Sequence, residues 1–501
     1  MSNANTKFQV FVLLTSLIPE AILESTLIPL YPFMVRYLLP GEPESTIGVY
    51  TGYLGSAFYL PLFIMNLVWG ALSDRYGRKP ILMMGLIVLL ITSILLGFSQ
   101  TYGLTLACRF AAGLFGANST VAKGMIGDIA RDGRSRAWGY AMYGSVYGLS
   151  GMLGPLIGGL LSNPADLYPQ WFSKEGIFGR LPYLLTCLVG TFLSVLGLFV
   201  TAFYLKENNQ SYDEIEDIDS SLDISLDSLQ RTRSNGAQVT IPRLNQSRVQ
   251  IIDAAGPSSA PEVLYESTYD EEMNGVSLRK KETHNHDNLE EEIEMIPDDN
   301  DTVPKFNFIA WNTLGPIFLY CIIAYVNMTY MTTLPLFFSA SKSLGGMEWN
   351  SRDTALSFTI LSASKLISQL FFFDPLFAIV KSSKLIYTYS MAAYIPIHLI
   401  IPGFAILPTN LQVLGVLLSM VILGACEAFG YLSIMLVITE SQLPEHLGTA
   451  HGLASTLAAL ARTISPSIGG SMWEYGVALH WSWLVFFFSA CTALIGVISS
   501  S

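Results

Sequence analysis

The sequence predicts an all-α membrane protein in which twelve transmembrane helices form two pseudo-symmetric six-helix bundles. Three observations predict it. Of 501 residues, 51% are hydrophobic and 13% charged, about half the charge of a soluble chain, where roughly 25% is usual. Apolar runs of roughly 20 residues, enough for a helix to cross about 30 Å of hydrocarbon, recur along the chain. The pattern PxxGG also stands twice, in "GPLIGG" (154–159) and "SPSIGG" (465–470), each on the fifth run of a set of six.

The runs fall at 8–38, 47–72, 81–98, 102–127, 138–161, 181–205, 309–339, 354–379, 385–407, 411–439, 449–474 and 481–498. The first is too long for a cleavable signal and carries Glu20 and Glu24, so it is expected to stay. The two acids are one turn apart, hence on one face, about 20–25 Å from the cytosolic end at ~1.5 Å per residue. A carboxylate at that depth can take a proton from one compartment and release it to the other. The bland alternative is a carboxyl hydrogen-bonded across helices as structural glue.

Runs two and three are joined by "WGALSDRYGRKP" (69–80). Gly70 and Gly77 suit close backbone approach and a sharp turn, and Asp74, Arg75 and Arg78 suit the membrane edge. The expected device is a latch: Asp74 at the start of helix 11, and Arg78 on Asp128 at the end of helix 4. A plain positive-inside anchor would need only Arg75 and Lys79. Run four carries Arg109, which cannot neutralise and needs an acid or carbonyls, and Asn118. In run five, Gly154 and Gly158 let helix 5 approach a neighbour, while Pro155 removes a backbone donor. Gly159 completes the pattern, and Pro466, Gly469 and Gly470 repeat it in run eleven.

Residues 206–305 hold 23 of the 39 acids and 9 of the 27 bases, a net of 9 − 23 = −14. Rich also in Ser and Asn, the segment predicts a disordered acidic cytosolic linker between an N-terminal bundle (1–205) and a C-terminal one (306–501). The remainder carries 18 − 16 = +2, so no basic surface for nucleic acid is expected. Lys7, Arg75, Arg78, Lys79, Arg131, Arg134 and Arg136 oppose Arg36, Lys174 and Arg180, which puts both termini in the cytosol. In the second half Lys365 with Gln369, and Glu427 with Tyr431, each stand one turn apart, and Glu20 or Glu24, Lys365 and Glu427 are expected to line one cavity. Arg462 also sits deep in its run and is expected to pair structurally.

Five single cysteines and histidines at the membrane edges or in the insert form no ligand set, so neither metal nor cofactor is expected. No nucleotide or hydrolase motif occurs, which argues against an enzyme or an ATP-driven pump.

"GALSDRYGRKP" resembles the signature between helices 2 and 3 of the major facilitator superfamily. "LACRFAAGLFG" (106–116) resembles its helix 4 pattern, and "GPLIGG" the helix 5 pattern of drug:proton antiporters. "GANSTVAKGMIGDIA", "ISQLFFFDPL" and "EHLGTAHGLASTLAALARTISPSIGG" are similar to segments of the zinc-induced facilitator-like branch and its fungal relatives. Two departures are Glu20-Ala21 in place of the usual Glu-Pro and Asp128 in place of Glu. The resemblance implies a part for Arg109 in proton coupling. It also implies a monomeric secondary transporter that moves a small organic solute, drug-like or a metal chelator, by proton antiport with alternating access. A vacuolar membrane is the expected location by analogy, with the plasma membrane as the alternative. Proton symport, or a transport-dead sensor signalling through the insert, are the other functions the residues allow.

Overall fold

The computed structural model describes residues 3–116, 118–130, 133–207, 311–442 and 447–500. The described residues hold helices and no strand. The expected linker lies outside them, except for Lys206 and Glu207.

The first run is not one helix. It consists of α1 (Asn3–Thr15), α2 (Ile18–Leu27), a 3-10 turn (Ile28–Leu30) and α3 (Tyr31–Leu38). Pro19, Pro29 and Pro32 stand at the starts of the last three pieces, where the missing N–H is least costly. There follow α4 (Ile47–Tyr76), α5 (Arg78–Gly97), α6 (Tyr102–Leu114), α7 (Asn118–Ile129) and α8 (Gly133–Leu161). Two single turns, α9 (Pro164–Leu167) and α10 (Ile177–Arg180), lead to α11 (Leu184–Tyr204).

The second half holds α12 (Trp311–Ser339), α13 (Ser351–Ile367), α14 (Phe373–Val380) and α15 (Ser383–Ile400). It ends with α16 (Thr409–Glu440), α17 (Leu447–Ala478) and α18 (Leu484–Ser500).

Among the described residues nine helical stretches are long and apolar enough to cross a membrane. The other three expected runs fall short for visible reasons. The fourth is split at Phe115 and Gly116 into α6 and α7. The eleventh, α17, is 32 residues long but carries Arg462 and a high share of small and polar residues. The twelfth, α18, is an apolar helix of 17 residues.

Within the first half α2 packs on α8, α6 on α4 and α11 on α5; in the second, α12 packs on α17, and α15 on α16 and α18. The halves meet along two seams, α4 against α17 and α8 against α13. The PxxGG residues build both. Gly158 faces Thr26 of α2, while Gly159 faces Ala355 and Arg352 of α13. In α17 the same offsets recur: Gly469 faces Thr329 and Thr333 of α12, and Gly470 faces Gly48 and Gly52 of α4. Gly154 lies against Ser25 and Ile22, and Pro466 against Gly52 and Gly55. One glycine of each pair thus lets its helix meet the first helix of its own half, and the next lets it meet the other half. Small residues are what allow such backbone approach in a membrane.

The seams involve the start of α4, the far end of α17, the end of α8 and the start of α13. There Ser56 Oγ donates to Thr463 O (2.6 Å) and shares a hydrogen with Ser467 Oγ (2.7 Å), and Ser162 bonds Ser351 (3.1 Å). Buried Trp473 covers Gly48.

Candidate functional site

The first ionic cluster is built on α2. Its ten residues are set off by the turn at Ser16, whose Oγ donates to Leu13 O (2.6 Å), and by the 3-10 turn at Pro29. Glu24 pairs with Arg109 of α6 at 2.5 Å, their side chains 16% and 4% exposed. The guanidinium lies over the rings of Phe58, 4.5 Å away, and Tyr31, 5.5 Å away, a setting that suits a desolvated planar cation. Glu20 accepts from Asn118 Nδ2 at 3.0 Å. Asn118 reaches it across Gly85 of α5, where any Cβ would occupy the amide's place. The structure therefore brings Glu20, Glu24, Arg109 and Asn118 together. Glu24 Oε1, Arg109 Nε and Asn118 Oδ1 remain buried without a hydrogen-bond partner, acceptor and donor capacity held in reserve.

The second cluster lies in the other half. Lys365 of α13 and Glu427 of α16 form an ion pair, because Gly424, one turn before Glu427, lets α16 come against the backbone of α13 at Lys365. The other oxygen of Glu427 accepts from Tyr330 Oη at 2.6 Å, and Asn327 Nδ2 donates to that hydroxyl at 2.8 Å. Lys365 Nζ stands 5.6 Å from the centre of the Tyr431 ring.

His398, 1% exposed, packs edge-on against Tyr330; its Nδ1 is 2.7 Å from Tyr394 O and its Nε2 has no partner. Tyr330, Asn327 and His398 were not among the expected site residues. Gln369 does not join the pair. It sits in a π turn (Ser368–Phe372) that follows α13, and faces Gly144 of α8 instead. Such single π turns re-aim side chains.

Between the halves is a cavity of ≈ 110 Å³ lined by Ser25, Ile28, Pro29, Tyr147, Met331, Phe358, Leu361, Ser362, Lys365 and Glu427, among others. This corrects the expectation of one shared ionic cavity. Lys365 and Glu427 line it; Glu20 and Glu24 are not among the described residues that do. The reason is the rotation of α2: Glu20 and Glu24 point to α6 and α7, while Ser25, the neighbour of Glu24, turns to α8 and donates to Ser150 O at 2.8 Å. Arg462 is likewise not paired with an acid among the described residues; its guanidinium is 3.5 Å from Tyr320 Oη, and Tyr320 meets the Tyr431 ring edge-on.

At the α4–α5 connection Gly77 has φ +94°, the sharp turn expected of it. Arg78 Nε pairs with Asp128 Oδ2 at 2.7 Å, and Arg75 lies over the Tyr76 ring. The Asp74 side chain, and with it the expected contact to helix 11, lies outside the described residues. Gly70 is a correction: a Cβ there meets nothing within 4 Å, so no close approach explains it.

The anion that caps a helix here is Glu207, assigned by composition to the linker. Its two oxygens accept from the backbone N–H of Arg78 (2.7 Å) and Lys79 (2.8 Å), the favoured place for a negative charge. Lys79 Nζ answers by donating to Ala202 O and Leu205 O, both at 2.8 Å.

Residues 13–216 match the family model described as Major Facilitator Superfamily. Protein ZINC INDUCED FACILITATOR 1 of Arabidopsis thaliana is 25% identical over 94% of this chain and 86% of its own length. Major facilitator superfamily multidrug transporter mfsB of Aspergillus fumigatus is 23% identical over 98% and 82%. Among solved structures, that of a D-xylose-proton symporter superposes with TM-score 0.62 at 12% identity, covering 98% of this chain and 96% of that one. The human organic anion transporter MFSD10 superposes with TM-score 0.58 at 15% identity, covering 99% of each. These likenesses carry the fold.

Proposed function

From the Major Facilitator Superfamily domain that this integral, multi-pass chain carries, we propose a proton-driven antiporter. It exports a small organic solute from the cytosol by alternating access. The observation that supports it most is the division of labour around α2. One face of this short helix bears Glu20 and Glu24 in a buried ionic cluster, while Ser25 on another face, with Ile28 and Pro29 of the 3-10 turn that follows, lines the inter-half cavity.

A proton arriving at Glu24 weakens its hold on Arg109, since a neutral carboxyl no longer answers the guanidinium. The released α2 then shifts, and with it the cavity wall. Proton and solute compete through the position of one helix without touching. On this reading the seams at Gly159 and Gly470 act as a gate between the halves, and tilting the halves about the centre parts them while closing the opposite end. Arg78, Asp128, Gly77 and Glu207 hold the cytosolic ends of α5, α7 and α11 as a block, and Asp74 extends the latch to the second half. The 206–305 segment is an acidic cytosolic linker, both termini are cytosolic, the working unit is a monomer, and the vacuolar membrane is the favoured location.

The test is solute flux into proteoliposomes under an imposed pH gradient. Export-type flux opposite to protons is expected, with coupling lost in Glu20→Gln and Glu24→Gln. Proton-driven flux that survives unchanged in both variants removes α2 from the mechanism. Flux along with protons makes the protein a symporter, and no flux with any solute leaves a sensor.

A further inference from the structure

Resting on the transport reading, the chemistry of the cavity points to a class of solute. Two charged side chains line it among the described residues, and they are not equally available. The Glu427 side chain is 3% exposed, with one oxygen on Lys365 and the other on Tyr330, so the carboxylate is already satisfied from the protein side. The Lys365 side chain is 33% exposed. Its ammonium has three donors and no acceptor, and a single hydrogen bond, to Glu427, is formed. The face of the Tyr431 ring beside it supports the cation without consuming a donor. The remaining lining is largely apolar, with Ile28, Pro29, Met331, Phe358 and Leu361 around the room that Lys365 faces. An incoming cation would find its natural partner covered on both oxygens, whereas an incoming anion finds unused N–H groups.

We propose that the solute is an organic anion: a compact apolar body bearing one acidic group that takes the free donors of Lys365. The volume of ≈ 110 Å³ limits the apolar body to one ring at most, since an apolar cavity of about 150 Å³ accommodates benzene. Lys365 is the specificity-determining residue. Glu427 and Tyr330 hold its amine at the wall, and Asn327 holds Tyr330.

The experiment measures binding of two ring-sized, permanently charged probes, benzenesulfonate and phenyltrimethylammonium, to the purified full chain in lipid nanodiscs. Benzenesulfonate is expected to bind about tenfold or more tightly than the cation. Lys365→Met is expected to weaken benzenesulfonate by about tenfold or more, and Lys365→Arg to retain most of its binding. Because Lys365→Met strands Glu427, the pair Lys365→Met/Glu427→Gln is measured alongside, with the same loss expected in a chain free of buried unpaired charge. Equal or tighter binding of the cation, binding of neither probe, or benzenesulfonate binding indifferent to both Lys365 variants overturns the assignment. Flux in proteoliposomes separates this from the transport reading. Proton-coupled movement of the cation alone sinks the anion assignment and leaves transport, whereas Lys365-dependent benzenesulfonate binding without flux leaves the site and sinks transport.

Discussion

Replacing Arg109 by Met should be among the most damaging single changes in the first half. The guanidinium and Glu24 are 4% and 16% exposed, so removing the cation leaves a carboxylate in a medium that cannot solvate it. Losing one partner of a buried pair costs about 3–5 kcal/mol. Removing both, in Arg109→Met/Glu24→Gln, deletes the unpaired charge and should recover much of the loss. A coupling of about 2 kcal/mol or more is then expected, towards the upper end for residues in direct contact.

The control is Arg36–Glu44, also paired at 2.9 Å but 23% and 45% exposed. Water and salt screen such a pair, and its coupling should be about 1 kcal/mol or less. The assay is reversible unfolding of each variant in mixed micelles titrated with dodecyl sulfate, followed by tryptophan fluorescence and analysed as two double-mutant cycles. If the Arg109–Glu24 coupling is no larger than that of Arg36–Glu44, the cluster is not a desolvated ion pair and α2 is not held by it.

Three further outcomes follow from the same packing. Gly470→Ala and Gly159→Ala should each cost about 1–3 kcal/mol by overpacking a seam; both should raise labelling of a cysteine placed at Ser56 by an impermeant maleimide, and equal labelling in wild type and variants would disprove the seam. Gly85→Ala should displace Asn118 from Glu20 and, in the flux assay, lower proton coupling more than it lowers benzenesulfonate binding; equal losses in both would count against separate proton and solute sites. Glu207→Ala should lower stability by about 1–2 kcal/mol through two lost charge-assisted bonds at a helix start, with Glu207→Gln recovering part of it, and an unchanged dodecyl sulfate midpoint in Glu207→Ala would show the cap to be idle.

What could be seen in the residues alone follows physical lines. Buried charge is conspicuous in an apolar run, so Glu20, Glu24, Arg109, Lys365 and Glu427 are all visible in the sequence, and the need of Arg109 for an acid or carbonyls follows from its permanent charge. Which face each takes was not visible, because Pro19, Pro29 and Pro32 cut the first run into pieces whose relative rotation no periodicity reports. Tyr330 and His398 carry no such signal, since a hydroxyl or imidazole among aromatic and aliphatic neighbours looks like ordinary filling. Asn327 needed its partner, Tyr330, to acquire meaning.

Glu207 was lost to composition, which averages over the segment behind it, although an acid near the cytosolic end of one helix and the start of another was a readable signal. Gly424 and Gly85 are visible as small residues, but their use depends on which helix approaches. The PxxGG repeat was the opposite case, since four glycines at fixed offsets from two prolines carried the pseudo-symmetry of the seams in plain spelling.

The pairing of charges inside the spans bears on voltage. Arg109 answers Glu24 and Lys365 answers Glu427, so each couple is electrically silent as it stands. Glu20 is held by an amide and Arg462 by a phenol, neither of which carries a charge. A proton that lands on Glu24 leaves the Arg109 charge unanswered, so the couple goes from neutral to one net positive charge. On the proposed proton coupling, that charge carried across the full field would respond to the bilayer potential by about 2.3 kcal/mol per 100 mV, so the proposed cycle would answer to voltage as well as to acidity.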